Sequence, residues 1–351
     1  MKIRKVVLPL LIIGLTWSCS NDDDGIQVPM GDYADGILIS NEGPFSNGTG
    51  TVTFISEDLS VVNHGIYNTT NDEDLGNVVQ SIGFTEDEAF IVANVSNKIN
   101  VVNRFTFEKI ASITNGLNNP RYFIEANGKG YVTNWGDTAD ETDDFVAIIN
   151  LQNYTVEGTI PVVLGPEAIL AKDNTVYVAH QGAWGQNNKI SVINTTSNEV
   201  IKTLTVGDVP NSMQLDTSGN LWVLASGKPA YTEDETEGVL SKINTVTNEV
   251  EGNLPFESTQ HPNSLNLDGG DLYYHLGDTV FKQSLTSTSL GMEMVLEGVS
   301  FYNMVVHNGR LYGTDAGDYA SNGTLTVYDV STTLAIKSIT VGIVPGGIYF
   351  N

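Results

Sequence analysis

The chain holds a single cysteine, Cys19, so no internal disulfide can form. Basic residues are scarce: 16 Lys and Arg stand against 42 Asp and Glu in 351 residues, a formal charge of −26 at pH 7. Such a chain repels phosphate backbones at long range, and its aromatics lack basic neighbours, which disfavours a nucleic-acid partner. The apolar run Val6 to Leu15 is ten residues long, too short to span a bilayer, and no long helical period follows it. Also missing are a Gly-x-Ser-x-Gly elbow, a His-Glu-x-x-His pair and a phosphate-cradling loop.

What the chain has in quantity is glycine, 35 residues, with Asn, Thr and Val throughout. That is the composition of many short strands joined by tight turns. The strands repeat. Val209-Pro210-Asn211-Ser212, His261-Pro262-Asn263-Ser264 and Val344-Pro345-Gly346-Gly347 are related turns, and Asn119-Pro120-Arg121-Tyr122 and Gly165-Pro166-Glu167-Ala168 are weaker copies. Their prolines, at 120, 166, 210, 262 and 345, are 46, 44, 52 and 83 residues apart, the last gap close to two units. Each turn opens a short apolar strand, then a hairpin such as Asp268-Gly269-Gly270 or His307-Asn308-Gly309. A second strand follows (Val176-Tyr177-Val178, Leu221-Trp222-Val223), then a variable loop, an alternating third strand (Ile190 to Asn194, Leu325 to Asp329) and a fourth.

Four antiparallel strands about every 45 residues specify a β-propeller. Second strands begin near Ile37, Ala89, Tyr131, Val176, Leu221, Leu272 and Leu311; first strands begin near Val79, Tyr122, Ala168, Ser212, Ser264, Tyr302 and Gly347. The first second strand has no partner before it and the last first strand none after it. The expectation is an all-β, seven-bladed propeller over 33–351, with Gly347 to Asn351 pairing into the N-terminal blade to close the ring.

The N-terminus reads as an export signal. Lys2, Arg4 and Lys5 precede the apolar run, and Thr16-Trp17-Ser18-Cys19 resembles a lipobox whose thiol is acylated after cleavage. Residues 1–18 are then a signal peptide and 19–32 a lipidated Cys19 with an acidic flexible tether. Ser20-Asn21-Asp22-Asp23-Asp24 resembles the tag that sends Bacteroidetes lipoproteins to the cell surface. The protein would be held on the outer membrane by its lipid without spanning it.

The runs "LYV", "ISVINTTSNEV" and "TVGDVPNS" resemble those of the YncE-like propellers, from about residue 36 to the C-terminus. With the lipoprotein start, the whole is similar to Bacteroidetes surface lipoproteins of the vitamin B12-capturing, BtuG-like group. That resemblance implies capture of a corrinoid and its transfer to a TonB-dependent outer-membrane transporter, by a chain that is monomeric on its own.

In a propeller, loops after second strands and before first strands gather on one face. They bring Asn41, Glu42, Asn94, Asn134, Trp135, His180, Gln181, Trp184, Ser226, Tyr231, His275, Asp315 and Tyr319 from the former. From the latter come Asn118, Asn119, Arg121, Tyr122, Glu167, Asn211, His261, Asn263, Phe301, Tyr302 and Asn303. The expected ligand contacts are Asn94, Arg121, Tyr122, Trp135, His180, Trp184, Asn211, Tyr231, His261, Asn263, His275, Tyr302 and Tyr319. Aromatic faces with amides suit a large, polar, partly planar ligand, whereas the opposite face reads as bland. The Asn residues read more often as turn caps than as ligand contacts. Trp222, Tyr273 and Tyr312, inside strands, read as core.

Metal and catalytic chemistry read weakly. His180, His261 and His275 come from different blades without ligand spacing. The acidic loops at Asp137, Asp140, Glu141, Asp143 and Asp144 and at Glu233, Asp234, Glu235 and Glu237 lack the EF-hand pattern. The expectation is a protein that is not an enzyme and holds no cofactor and no metal, with a corrinoid as its ligand. An interaction scaffold in an outer-membrane complex is the alternative. A lactonase or lyase using Arg121, Glu167, His180 or His261 ranks third. Asp137-Thr138-Ala139 and Asp278-Thr279-Val280 resemble a Bacteroidetes O-glycosylation sequon.

Overall fold

A computed structural model describes residues 30–45 and 48–351. Cys19, the signal peptide and the acidic stretch Ser20 to Asp24 lie outside the described residues. Among those described, seven four-stranded antiparallel sheets form the blades of a ring. Blade 4 is representative: Pro166–Lys172, Thr175–His180, Lys189–Asn194 and Glu199–Thr205, in that spatial order. Blade 1 takes Gly36–Asn41, Thr51–Ser56 and Val62–Asn63 from the N-terminal part and Pro345–Phe350 from the end of the chain. Leu38 faces Tyr349 and Ile39 faces Ile348 across that junction, so the closure expected from the repeats is present. Blades 2 to 7 follow in chain order. Among the described residues no helix is long and apolar enough to cross a membrane.

The pleat explains how each blade is held. Successive side chains of a strand point to opposite faces of its sheet. In Thr175–His180, Val176 and Val178 join a buried cluster shared with blade 3, and Tyr177 and Ala179 one shared with blade 5. Second strands are thus buried on both faces, which is why they read as nearly continuous apolar runs. Fourth strands, at the rim, alternate: Glu199, Ile201 and Thr203 are exposed. Each of the seven core clusters lies between two adjacent blades.

The recurrent Asn-Thr-Thr-Ser-Asn-Glu-Val motif now has a physical reading. The Asn194 carboxamide accepts the N–H groups of Thr196 and Ser197 at 2.9 and 3.0 Å, forming an Asx turn. Asn198 takes φ +55°, the left-handed region that Asn tolerates. Its side chain then accepts the Tyr131 hydroxyl of blade 3 at 2.8 Å. Asn248 accepts Tyr177 of blade 4 in the same way at 2.8 Å. The motif therefore ties blade 4 to blade 3 and blade 5 to blade 4.

A second device sits at the opposite end. Val78, Asn119, Gly165, Val209 and Val344, each just before a first strand, have positive φ. This turns their carbonyls toward the N–H that follows the second strand: Asn94 N to Val78 O at 2.8 Å, Ser226 N to Val209 O at 2.9 Å and Glu42 N to Val344 O at 2.8 Å. It fixes where both sets of loops leave the sheet. For valine the conformation costs on the order of 1–2 kcal/mol. Val209→Asn, placing at blade 5 the residue that blade 3 uses as Asn119, should therefore raise the unfolding free energy by about 0.5–1 kcal/mol. Tyr177→Phe, which removes the hydroxyl from Asn248, should lower it by about 1 kcal/mol. Urea denaturation with an unchanged m-value checks both.

Candidate functional site

The loops before first strands and after second strands form one face, the loop face; the hairpins at the other ends form the turn face. Among the described residues, the large aromatics with the most exposed surface are Phe45, Trp184, Tyr231, Tyr302 and Tyr319. All five lie on the loop face. Trp184 is 77% exposed and Tyr231 80%, the range of side chains with almost no protein cover.

A charged group occupies the centre of this face. Arg121 and Glu167 are the second residues of the first strands of blades 3 and 4, Pro120–Ala126 and Pro166–Lys172, so neighbouring blades bring them side by side. Nε and Nη2 of Arg121 donate to the two oxygens of Glu167 at 2.8 and 2.7 Å, a bidentate pair that is mostly buried. The Trp135 ring covers the guanidinium at 4.0 Å, its indole N–H donates to Pro166 O at 3.1 Å, and Trp184 meets its edge at 6.3 Å. Across the axis, Tyr302 donates its hydroxyl to Glu42 at 2.8 Å and packs edge-on against Tyr319 at 5.8 Å. Burial pushes the Glu42 carboxyl above its ordinary range; Tyr302 and the Arg121 charge pull against that rise. Tyr122 stands in the same group, its hydroxyl pushed far up by burial and by Glu167.

Arg121, Tyr122, Trp135 and Trp184 thus lie at blades 3 and 4, and Tyr302 and Tyr319 form a pair with Glu42 across the axis. Tyr231 and His261 form a second group, where they line a cavity of about 220 Å³ with Gln181, Gln186 and Ser226. The His261 ring nitrogens face Ser226 O at 2.7 Å and Glu235 Oε1 at 3.0 Å.

Other expected contacts are engaged in bonds within the fold or buried in it. Asn94 is buried and donates to Pro120 O at 3.1 Å; Asn211 donates to Pro262 O at 3.0 Å; Asn263 accepts the Ser264 hydroxyl at 2.9 Å. The first two join adjacent blades, the capping role that the sequence favoured. His180 ends its second strand and His275 is one residue from the end of its own, and both are buried in the layers between blades. His180 bonds Ser191 Oγ at 2.8 Å, and burial pushes its pKa down to about 4. Burial lowers His275 as well. These two sit below the surface because second strands are covered on both faces by neighbouring blades, so His261 alone of the three histidines reaches the rim.

The acidic loop of blade 3 folds onto itself: Asp143 accepts Asp137 N at 2.9 Å, Asp137 accepts Ala139 N at 3.0 Å and Asp140 accepts Thr142 N at 2.9 Å. Among the described residues no three His, Cys, Asp or Glu side chains are grouped to hold a metal ion. The two sequon-like triplets differ. Thr138 is exposed, whereas Thr279 is buried and donates to Asp278. Two features escaped the sequence reading: Phe45, in a loop without repeat character, and a cavity of about 600 Å³ on the turn face. That cavity lies between blades 7 and 1, lined by Asp35, Glu57, His307, Arg310, Tyr312 and Phe350, so the face expected to be bland is not smooth.

Residues 35–350 match the family described as a domain of unknown function (DUF5074), and the chain belongs to that family. No curated protein matches the chain. The fold is shared with the periplasmic gluconolactonase PpgL of Pseudomonas aeruginosa, 10% identical, with 90% of this chain and 98% of that one covered and a TM-score of 0.64. It is shared too with a quinonprotein alcohol dehydrogenase-like protein of Bacteroides thetaiotaomicron, 13% identical, covering 91% and 78%, TM-score 0.62. Kuenenia stuttgartiensis hydrazine synthase is 14% identical, covering 91% and 99%, TM-score 0.60. At such identities the likeness establishes architecture alone.

Asp144 gives a test of site electrostatics. It is buried, accepts Gly165 N at 2.5 Å, and burial pushes its pKa up to about 6. A carboxyl raised in the fold binds protons more tightly there than in the unfolded chain. Its stabilising contribution is full below the unfolded value near 4 and is lost as pH rises through about 6. Asp144→Asn keeps an oxygen for Gly165 and removes the charge. Its melting temperature relative to wild type should therefore rise between pH 4 and pH 7; a difference independent of pH would show an ordinary carboxylate.

Proposed function

We propose that this chain is a binding protein that captures a nutrient on its loop face, most specifically a corrinoid. We infer that it does so as a surface lipoprotein, held through Cys19 beside a TonB-dependent outer-membrane transporter. The observation that carries capture is the confinement of the exposed aromatics Phe45, Trp184, Tyr231, Tyr302 and Tyr319 to one face. Rings left in water around a polar centre offer apolar area and flat surfaces to a ligand. Backbone bonds to Val78, Val209 and Val344 fix the points at which loops of blades 2, 5 and 1 leave the sheet, which lowers the ordering entropy lost there on binding. The corrinoid and the transporter come from the resemblance to the YncE-like, vitamin B12-capturing lipoproteins.

An interaction scaffold is supported by the same exposed rings, which a protein partner would also cover. The lactonase reading is favoured by the fold shared with a gluconolactonase. Against it, Arg121 and Glu167 bond each other and are poorly placed for proton transfer.

Titration of the full-length chain with cyanocobalamin, by calorimetry and tryptophan quenching, tests the reading. Capture requires 1:1 binding, weakened about tenfold or more by Trp184→Ala or Tyr231→Ala. No binding at micromolar protein would sink the corrinoid reading. Co-purification with a membrane protein and no small ligand would favour the scaffold, and turnover of a lactone lost on replacing His180 or His261 would favour the enzyme.

A further inference from the structure

The charges at the centre of the loop face are unequally engaged. Arg121 spends Nε and Nη2 on Glu167, and Trp135 covers one side of its plane. Its charge is answered within the protein, so it is a poor receptor for an anionic ligand. Glu42 differs. It is half-buried in the loop after Gly36–Asn41, and Oε1 accepts the Tyr302 hydroxyl. Among the described residues no other group bonds its carboxylate. A carboxylate has about four acceptor sites, and among the described residues one is filled. Desolvation is the largest cause acting on this group and raises its pKa, as expected of a charge short of partners.

The surroundings of Glu42 are specific. Tyr302 and Tyr319, both exposed, form an edge-on pair beside it. Beside it lies Gly346, where a Cβ would stand 2.8 Å from Oε1, so a side chain there would push the carboxylate aside. An under-coordinated carboxylate next to aromatic rings receives polarised N–H groups, through charge-assisted hydrogen bonds and cation–π contact.

We propose that Glu42, flanked by Tyr302 and Tyr319, sets the specificity of the loop face by accepting an N–H donor group of the ligand, either an ammonium or a primary amide. The inference rests on the loop face being the binding surface and deepens that reading. It leaves open which molecule carries the donor; a corrinoid edge, rich in primary amides, is the neutral case.

Three probes with the same aromatic body and different heads test it: phenethylammonium, 3-phenylpropionamide and 3-phenylpropionate, titrated into the full-length chain by saturation-transfer NMR. The ammonium should bind about tenfold or more tighter than the carboxylate. Glu42→Gln, which keeps an oxygen for Tyr302, should bring the two within about twofold. Gly346→Ala, which displaces the carboxylate, should act in the same direction. An amide that binds like the ammonium points to a neutral ligand edge, and one that binds like the carboxylate to a charged amine; both support the assignment. It is overturned by a carboxylate that binds as well as the ammonium, by a preference that survives Glu42→Gln, or by no ammonium binding up to about 10 mM. Cyanocobalamin titrated into the same samples separates the two failures. Its binding unchanged in Glu42→Gln, without ammonium preference, removes this inference and leaves capture standing. Ammonium preference without cyanocobalamin binding does the reverse for the corrinoid.

Discussion

No blade of this protein has a core of its own. Every buried cluster is shared between adjacent sheets, and the second strand of each sheet contributes to two clusters at once. A four-stranded sheet taken alone would leave both its apolar faces in water, so the blades are stable only as neighbours. The constraint passes around the ring and ends where it began. Ile37 and Ile39 of blade 1 pack with Tyr312, Leu325 and Val327 of blade 7. The last strand, Pro345–Phe350, completes blade 1 from the far end of the sequence. At this junction Gly347 has no room for a side chain: a Cβ there would lie 2.3 Å from the Tyr349 hydroxyl.

Because packing is lateral, the axis is left to polar groups. First strands present their opening residues to it, and those residues bind across blades: Asn211 to Pro262, Asn303 to Gly346, Arg121 to Glu167. The same contacts that hold the ring therefore fill the centre of the loop face, and the chemistry open to a ligand is what this mutual satisfaction leaves over. Glu42, tied only to Tyr302 among the described residues, is that remainder, and the rim aromatics surround it. The contacts that close the ring and the exposed aromatics share one surface here, with αL valines at blades 1, 2 and 5 fixing where its loops begin.

The repeat carried most of the fold. Proline spacing, Asn-Gly and Asp-Gly hairpins and second strands such as Val176-Tyr177-Val178 are local signals, and the blades they mark are present, closure included. The family of YncE-like propellers lies closer to a guess about ancestry than to a physical reading, and what is established is membership of a family that spans 35–350. The site was legible in part. Exposed aromatics in long loops could be read from Trp184 and Tyr231, since nothing in a polar loop covers them. The depth of His180 and His275 could not. Both faces of a second strand are covered, and how far that cover reaches along the strand toward the loops is set by the neighbouring blades, which no local pattern shows. The pairing of Glu42 with Tyr302 spans 260 positions, and only the closed ring brings them together. The turn-face cavity has the same origin, a seam between blades 7 and 1 that no local pattern marks.

The chain enters the ring on the turn face. Tyr33 N donates to Phe105 O at 2.9 Å, and the side chain of the last residue, Asn351, donates to Tyr33 O at 2.5 Å and to Arg104 O at 2.8 Å. Arg104 returns a bond to Asn351 at 2.8 Å. In mechanical terms this is a knot of short bonds between the entering chain, blade 2 and the C-terminus. A pull on the segment before Met30 would load that knot first, and through Asn351 the closing strand behind it. Traction from that side would bear on the ring at its seam while the aromatic rim, at the far end of the axis, stays turned away from the source of the force.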